Sequence, residues 1–297
     1  MTGQAAAVCG ELIRSRALSP GGGFALQPGG GFQVDATAWA ILALKALGQG
    51  SELLDRAQTL LASRQSPDGR VCLSPEHPEA FWPTSLAILA WRLAPAHRKA
   101  LDLAAGFLLA ASGRHWPRGY VRIFQHDTSI KGWPWIGETH SWVEPTALAI
   151  MALKAAGQGG HARVKEAARM LLDRQLPRGG WNYGNTSVFG QELFPFPEST
   201  GLALNALKDA VPPEEVRKSL AYLQVALRKV RTPLALGWGL MGLAAWGVQP
   251  PEAPAWIDEC LRRQERYGPY DTGALSVLGL ATRAPRGLTG IFLEQKK

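Results

Sequence analysis

A glutamine stands four residues ahead of a glycine at three places in this chain: Gln65 and Gly69, Gln175 and Gly179, Gln264 and Gly268. Each pair closes a segment with helical spacing and one polar face. Each leads toward an alanine- and leucine-rich segment of the kind seen at 35–47. A repeat of this size means stacked helix pairs, each unable to bury its apolar surface without its neighbours.

Apolar spacing at three to four residues predicts helices almost throughout. Polar-faced segments lie near 4–17, 51–64, 97–112, 161–175, 213–229 and 252–264. Segments apolar nearly all round lie near 35–47, 82–94, 144–157, 198–210, 233–247 and 271–282. A helix apolar on every side is buried, and a one-sided helix covers it. The alternation therefore predicts an all-α fold with an inner and an outer ring, as one domain over 1–297. Gly48 and Gly157 stop two inner segments, and Pro212-Pro213 opens an outer one. The connection at 113–143 is unusually long and rich in aromatics, among them Trp116, Tyr120, Phe124, Trp133, Trp135 and Trp142. Loops of that length are usually functional or disordered, and this composition argues against disorder.

The inner segments share a register. Asp35, Glu144 and Glu198 each precede a threonine by two residues (Thr37, Thr146, Thr200) and a lysine by ten (Lys45, Lys154, Lys208), and Trp82, Thr84 and Arg92 stand at the same offsets. An acid in the first turn and a base in the last both oppose the helix macrodipole, so part of this pattern is explained locally. Glu144 is the least explained, because glutamate is a poor N-cap and Pro145 already fits the first helical turn.

Three scattered cysteines, Cys9, Cys72 and Cys260, form neither a disulfide framework nor a CxxC pair, which fits a reducing compartment. No secretory leader or spanning segment is evident, and the expected location is cytoplasmic. The net charge of +8 favours anionic partners, lipid headgroups included. The basic residues are scattered and accompany no nucleic-acid motif, so nucleic acid is not an expected partner. The Gly290-Ile291-Phe292-Leu293 tail with Lys296-Lys297 is a candidate for peripheral membrane contact at the inner surface.

The stretch from Gln175 to Trp181 resembles the QW motif of the squalene-cyclase and prenyltransferase repeat superfamily, and Gln65/Gly69 and Gln264/Gly268/Tyr270 are weaker copies. The resemblance covers essentially the whole chain. It implies an (α/α)6 toroid around a central apolar cavity, with the Gln and Trp tying outer helices together. Cyclases of that superfamily carry an Asp-rich DxDD-Thr-Ala motif whose middle acid protonates an alkene or epoxide. Gln33-Val34-Asp35-Ala36-Thr37-Ala38 and Trp142-Val143-Glu144-Pro145-Thr146-Ala147 overlay it but keep only one acid each. The zinc site of protein prenyltransferases is not matched. Asp258-Glu259-Cys260 falls in an outer helix, and the last inner helix begins Tyr270-Asp271-Thr272 without a histidine. No metal or other cofactor is expected.

If the toroid closes, Asp35, Glu144, Glu198 and Asp271 gather at one mouth as candidate catalytic acids. Trp39, Trp82, His140, Trp142, Trp181, Tyr183, Trp238 and Tyr270 lie at or near that level as candidate substrate contacts, since aromatic faces stabilise cations. The resemblance implies a terpenoid-cyclase-like enzyme that protonates an isoprenoid. The lost aspartates favour a non-catalytic lipid-binding or protein-interaction toroid. A carbohydrate-active enzyme, with paired carboxylates and aromatic platforms, is the third and weaker reading, because sugar-binding clefts are polar and these inner segments are dominated by alanine and leucine.

Overall fold

The computed structural model describes residues 2–92, 94–119 and 125–293, so Tyr120, Phe124, Lys296 and Lys297 lie outside the described residues. Outer and inner helices alternate along the chain in six pairs. The first three are α1 (Thr2–Arg14) with α2 (Val34–Ala46), α3 (Ser51–Ser63) with α4 (Pro83–Trp91), and α5 (Arg98–Ala110) with α6 (Val143–Ala155). Next come α7 (Ala162–Asp173) with α8 (Pro197–Leu207), and α9 (Pro213–Ala226) with α10 (Pro233–Ala245). The last outer helix, α11 (Ala253–Arg262), is followed by the short α12 (Gln264–Tyr267) and the inner α13 (Thr272–Ala281). A 3-10 turn (Pro95–His97), a terminal helix, α14 (Gly287–Leu293), and a hairpin of two-residue strands, β1 (Ser187–Val188) with β2 (Gln191–Glu192), complete the described elements.

The inner helices are buried on all sides, and the outer helices bury one face. Each inner helix packs on the next, α2 on α4, α4 on α6, α6 on α8, α8 on α10 and α10 on α13, and α13 returns to α2. The ring is therefore closed, as an α/α toroid requires. Glycine permits the tightest contact in it. A Cβ on Gly242 of α10 would sit 2.7 Å from the Cα of Gly201 on α8, so the two backbones meet with no side chain between. Closure also uses a buried cation. Arg16 donates to the carbonyls of Tyr270 (2.8 Å) and Leu26 (3.0 Å), joining the segment after α1 to the start of α13.

The register threonines hold the connecting segments. Thr37, Thr84, Thr146 and Thr200 are fully buried in the first turn of α2, α4, α6 and α8. Their Oγ1 atoms accept from the main-chain N–H of Phe24 (3.0 Å), Val71 (2.9 Å), Trp133 (2.9 Å) and Trp181 (2.9 Å). Thr272 of α13 donates instead to the Ala25 carbonyl at 2.6 Å. A buried main-chain amide without an acceptor is expensive, so each hydroxyl sets where the chain arrives before it enters an inner helix.

The glutamines act between outer helices. Gln175 Nε2 donates to the Glu215 carbonyl (3.0 Å) and Ser219 Oγ (2.8 Å) on α9, and Gln65 Nε2 to the Ala100 carbonyl (2.9 Å) on α5. Gly179, at φ +96°, lies against the backbone of Lys218, where a Cβ would come within 2.5 Å of the carbonyl carbon. Gln264 differs: it accepts locally from the Tyr270 N–H at 3.0 Å. The tryptophan partner occurs twice. Trp181 Nε1 donates to the Leu171 carbonyl (2.6 Å), and Trp133 Nε1, in the 113–143 connection, to the Leu108 carbonyl (2.9 Å).

At the opposite end, Lys154 does more than oppose a dipole. Its Nζ donates to the carbonyls of Ala206 (2.7 Å) and Lys208 (2.6 Å), capping the end of α8. The α14 helix packs on α8 and α10 and also on α6 and α13, which stand opposite each other in the ring, so it crosses the lower mouth. Buried Asn205 of α8 accepts from the Leu288 N–H at 2.9 Å. Leu288 is buried against the ring, and so is Ile291, which leaves Ile291 unavailable to the membrane-facing tail expected from the sequence. Among the described residues, no helix is long and apolar enough to cross a membrane.

Replacing Thr200 by isosteric valine strips the Trp181 amide of its acceptor without changing shape. Urea unfolding of Thr200→Val should show a loss of about 1–3 kcal/mol; stability equal to the parent would show that the hydroxyl does not hold the connection.

Candidate functional site

The N-termini of the inner helices open onto one mouth, and the four acids arrive there as two neighbouring pairs. Asp35 begins α2 and Asp271 precedes α13, its ring neighbour; Glu144 begins α6 and Glu198 begins the adjacent α8. They differ in how far local structure accounts for them. Asp271 is the N-cap of α13, with its carboxylate accepting from the Ala274 N–H at 2.7 Å. Asp35 makes no such cap, and its Oδ1 is buried without a hydrogen-bond partner. Burial pushes the Asp35 carboxyl upward, and the nearby Asp271 charge adds to this against the pull of main-chain amides. Glu144 is also pushed up, chiefly by burial and further by Glu198, while the Ser199 hydroxyl, donating to Oε1 at 2.9 Å, pulls it back.

Aromatic residues divide between the two pairs. Beside Asp35, Trp39 and Trp238 are buried and meet edge to face, with ring centroids 5.7 Å apart. That contact places side chains inside the ring where an open channel would run. Beside Glu144 and Glu198, Tyr183 is 51% exposed and leans on Phe196 at 5.0 Å. Its phenol is raised by partial burial and by both glutamates. Phe194, 81% exposed, follows the β1–β2 hairpin a few residues before Glu198. Trp142 stands at the N-cap of α6 with His140 stacked on it at 4.1 Å. Burial, with the Arg174 charge, lowers the His140 pKa, which makes the imidazole a poor cation.

Other candidates sit apart from the acids or are engaged elsewhere. Trp82 packs edge to face on Trp135 (5.4 Å) at the start of α4, whose first turn holds no acid. Trp181 departs from the expected role: it is fully buried and tied to Leu171 of α7, as the resemblance implied for its motif. Tyr270 turns its hydroxyl away to the Cys260 carbonyl at 2.8 Å. Glu259, next to Cys260, is paired with Arg231 (2.6 Å) and Arg263 (3.1 Å).

The mouth contains a cavity of about 480 Å³ bounded by Gln27, Glu198, Thr232, Leu234, Tyr270 and Asp271. A larger one, about 700 Å³, lies at the far ends of α10 and α13 among Ala244, Ile257, Ala281 and Pro285 and includes none of the acids. Ser199 and Gln27 were not singled out from sequence. The only signal for Ser199 is its place inside the Glu198-Ser199-Thr200 copy of the register.

No family model matches the sequence, and no curated protein matches it. Solved structures do match in shape. An inactive variant of the alpha-1,6-mannanase GH76A of Salegentibacter sp. HEL1_6, in complex with alpha-1,6-mannotriose, aligns at TM-score 0.63 and 13% identity, covering 96% of this chain and 99% of that one. A protein from Actinoplanes aligns at 0.62 and 18% identity, covering 97% and 99%. The type II terpene cyclase MstE from Scytonema aligns at 0.51 and 21% identity, covering 74% of this chain and 61% of that one. At these identities the likeness shows the fold, an α/α toroid, and the fold is shared by enzymes of different chemistry.

Asp35 provides a test of the mouth's electrostatics. Its folded pKa is raised, so the folded state binds more protons than the unfolded one, and stability falls as pH climbs from the ordinary aspartate range through the folded pKa. Asp35→Asn should remove that dependence and raise Tm at pH 7 by about 2 °C or more. A lower Tm with an unchanged pH profile would mean that the carboxylate is satisfied.

Proposed function

We propose that the chain is an enzyme that uses Glu144 and Glu198 as paired carboxyl groups on a saccharide entering the N-terminal mouth. The observation that carries this reading is the placement of Glu144 and Glu198 in the first turns of neighbouring inner helices, with Ser199 Oγ donating to Glu144 Oε1 at 2.9 Å; burial and the Glu198 charge both push the Glu144 carboxyl up. Cleaving a glycosidic bond needs a carboxylic acid that still holds its proton and a second carboxylate to attack the sugar or activate water. Glu144 suits the first task, giving its proton to the leaving oxygen, and Glu198 the second. Exposed Tyr183 and Phe194 offer flat faces to sugar rings at the same rim. The indole pair of Trp39 and Trp238 occupies space inside the ring, which favours a substrate held at the rim over a long isoprenoid drawn into the bore. The likeness in shape to the mannanase over nearly the full length of both chains is consistent with this reading.

A second reading rests on Asp35. A half-buried acid with one buried, unpartnered oxygen, set beside two indoles, is suited to protonating an alkene whose cation the rings then stabilise. The resemblance to cyclase repeats favours the same residue. The two readings separate by variant.

Purified protein should be incubated with alpha-1,6-mannotetraose and other linked oligosaccharides, and separately with squalene and prenyl diphosphates. The saccharide reading expects cleavage that falls by about 10²–10⁴-fold in Glu144→Gln. It also expects a rate that declines as pH rises through the raised Glu144 pKa, because the donor must be protonated. Cyclised hydrocarbon lost in Asp35→Asn but kept in Glu144→Gln, without cleavage of any oligosaccharide, would replace it with the second.

A further inference from the structure

Apart from the four mouth acids lies a partly open pocket of about 310 Å³ whose walls include Arg174, His115, Trp116, His140, Ser141 and Asn185. Arg174 is only 2% exposed, yet it makes a single hydrogen bond, from Nη1 to the Gly184 carbonyl at 2.7 Å. Its Nε is buried and donates to nothing. The nearest carboxylate, Asp173 Oδ2, stands 3.7 Å from Nε and already accepts from the Asp127 N–H at 2.8 Å. A guanidinium has five N–H donors, and among the described residues Nε is the Arg174 donor that is buried without an acceptor. Burial lowers its pKa to about 10 against the opposing pull of the Asp173 and Asp127 carboxylates, which still leaves it charged at neutral pH.

The rest of the pocket completes a receptor for negative charge. No carboxylate lines it. Among the described residues the Asn185 side-chain amide has no hydrogen-bond partner, so it adds a donor beside the guanidinium. Ser141 is already committed: its Oγ accepts from the Gly132 N–H (2.9 Å) and lies 2.9 Å from His115 Nε2. Burial lowers the pKa of both His115 and His140, so at neutral pH they present uncharged ring faces together with Trp116. A buried, under-satisfied arginine is retained at lower cost when an oxyanion accepts from its vacant donor.

We infer that this pocket binds a small organic oxyanion, a carboxylate or a phosphate monoester, with its charged end on Arg174 and Asn185 and its body against the Trp116 ring. The inference does not depend on the saccharide reading, because none of its residues is one of the mouth acids. A ligand here would sit beside His140, which stacks on Trp142, the residue that caps the helix carrying Glu144.

Fluorine NMR of the intact protein with 4-fluorobenzoate, 4-fluorophenyl phosphate and neutral 4-fluorobenzamide tests this. At least one of the two anions should saturate below about 10 mM, and the amide should not. Displacement by inorganic phosphate would show that the oxyanion alone suffices, and failure to displace would show that the organic body is also recognised. Arg174→Lys should weaken anion binding by about tenfold or more, since the planar fork is lost. If that variant does not fold, Asn185→Leu, at a half-buried position, should weaken it in the same direction. Glu144→Gln should bind as the parent does, so loss of saccharide activity and loss of this site are separable. Saturation by neither anion, equal binding of the amide, or undiminished binding in both pocket variants overturns the inference.

Discussion

A threonine hydroxyl in the first turn of an inner helix is the contact on which this toroid depends. Thr37, Thr84, Thr146 and Thr200 each receive one main-chain N–H from the segment that leads into their helix, and each is fully buried. The bond is worth little on its own, but losing the acceptor strands an amide in a dry interior. It recurs on four of the six inner helices, Thr272 of α13 makes a related bond to the Ala25 carbonyl, and α10 has no threonine in its first turn. The carboxylates two residues ahead of three of these threonines reach the mouth for that reason. Their convergence is a by-product of how the connections are pinned.

Convergence then creates the electrostatic problem that makes the mouth interesting. Acids at helix N-termini are favoured by the dipole, yet Asp35 and Glu144 are buried enough that their ionised forms are penalised, each with a second carboxylate nearby. Asp271 resolves the conflict by capping its own helix. Asp35 does not resolve it, and Glu144 does so only through Ser199. Carboxyl groups left in this condition are the ones expected to carry protons to a substrate.

Much of the fold was legible in the sequence because a helix buried on all sides leaves an unmistakable composition. The alanine- and leucine-rich segments became the inner ring with ends displaced by only a few residues, and Gln175 and Gly179 join α7 to α9. What was hidden had long-range partners or ambiguous direction. The register exposed the threonines, but their partners lie in irregular segments 13 or 19 residues upstream. Lys154 read as a dipole partner, whereas it reaches the carbonyls of the next inner helix. Trp181 and Tyr183 stand two residues apart; the first turns to an outer helix and the second toward the acids, and spacing alone does not choose between those directions. Gly290-Ile291 read as part of a free tail, although α14 buries Ile291 against the ring. The vacancy around Arg174 carried no signal in the sequence, since it follows from the hydrogen bonds that residue lacks.

The central claim is that the mouth holds Glu144 as a proton donor. Carboxyl ¹³C chemical shifts, followed against pH in protein labelled at glutamate side chains and assigned with Glu144→Gln, read that property without knowledge of the substrate. The account predicts a Glu144 resonance that titrates above the ordinary glutamate range and moves downward when Glu198 is replaced by glutamine. A Glu144 carboxyl that titrates at or below the ordinary value, indifferent to Glu198, would contradict it.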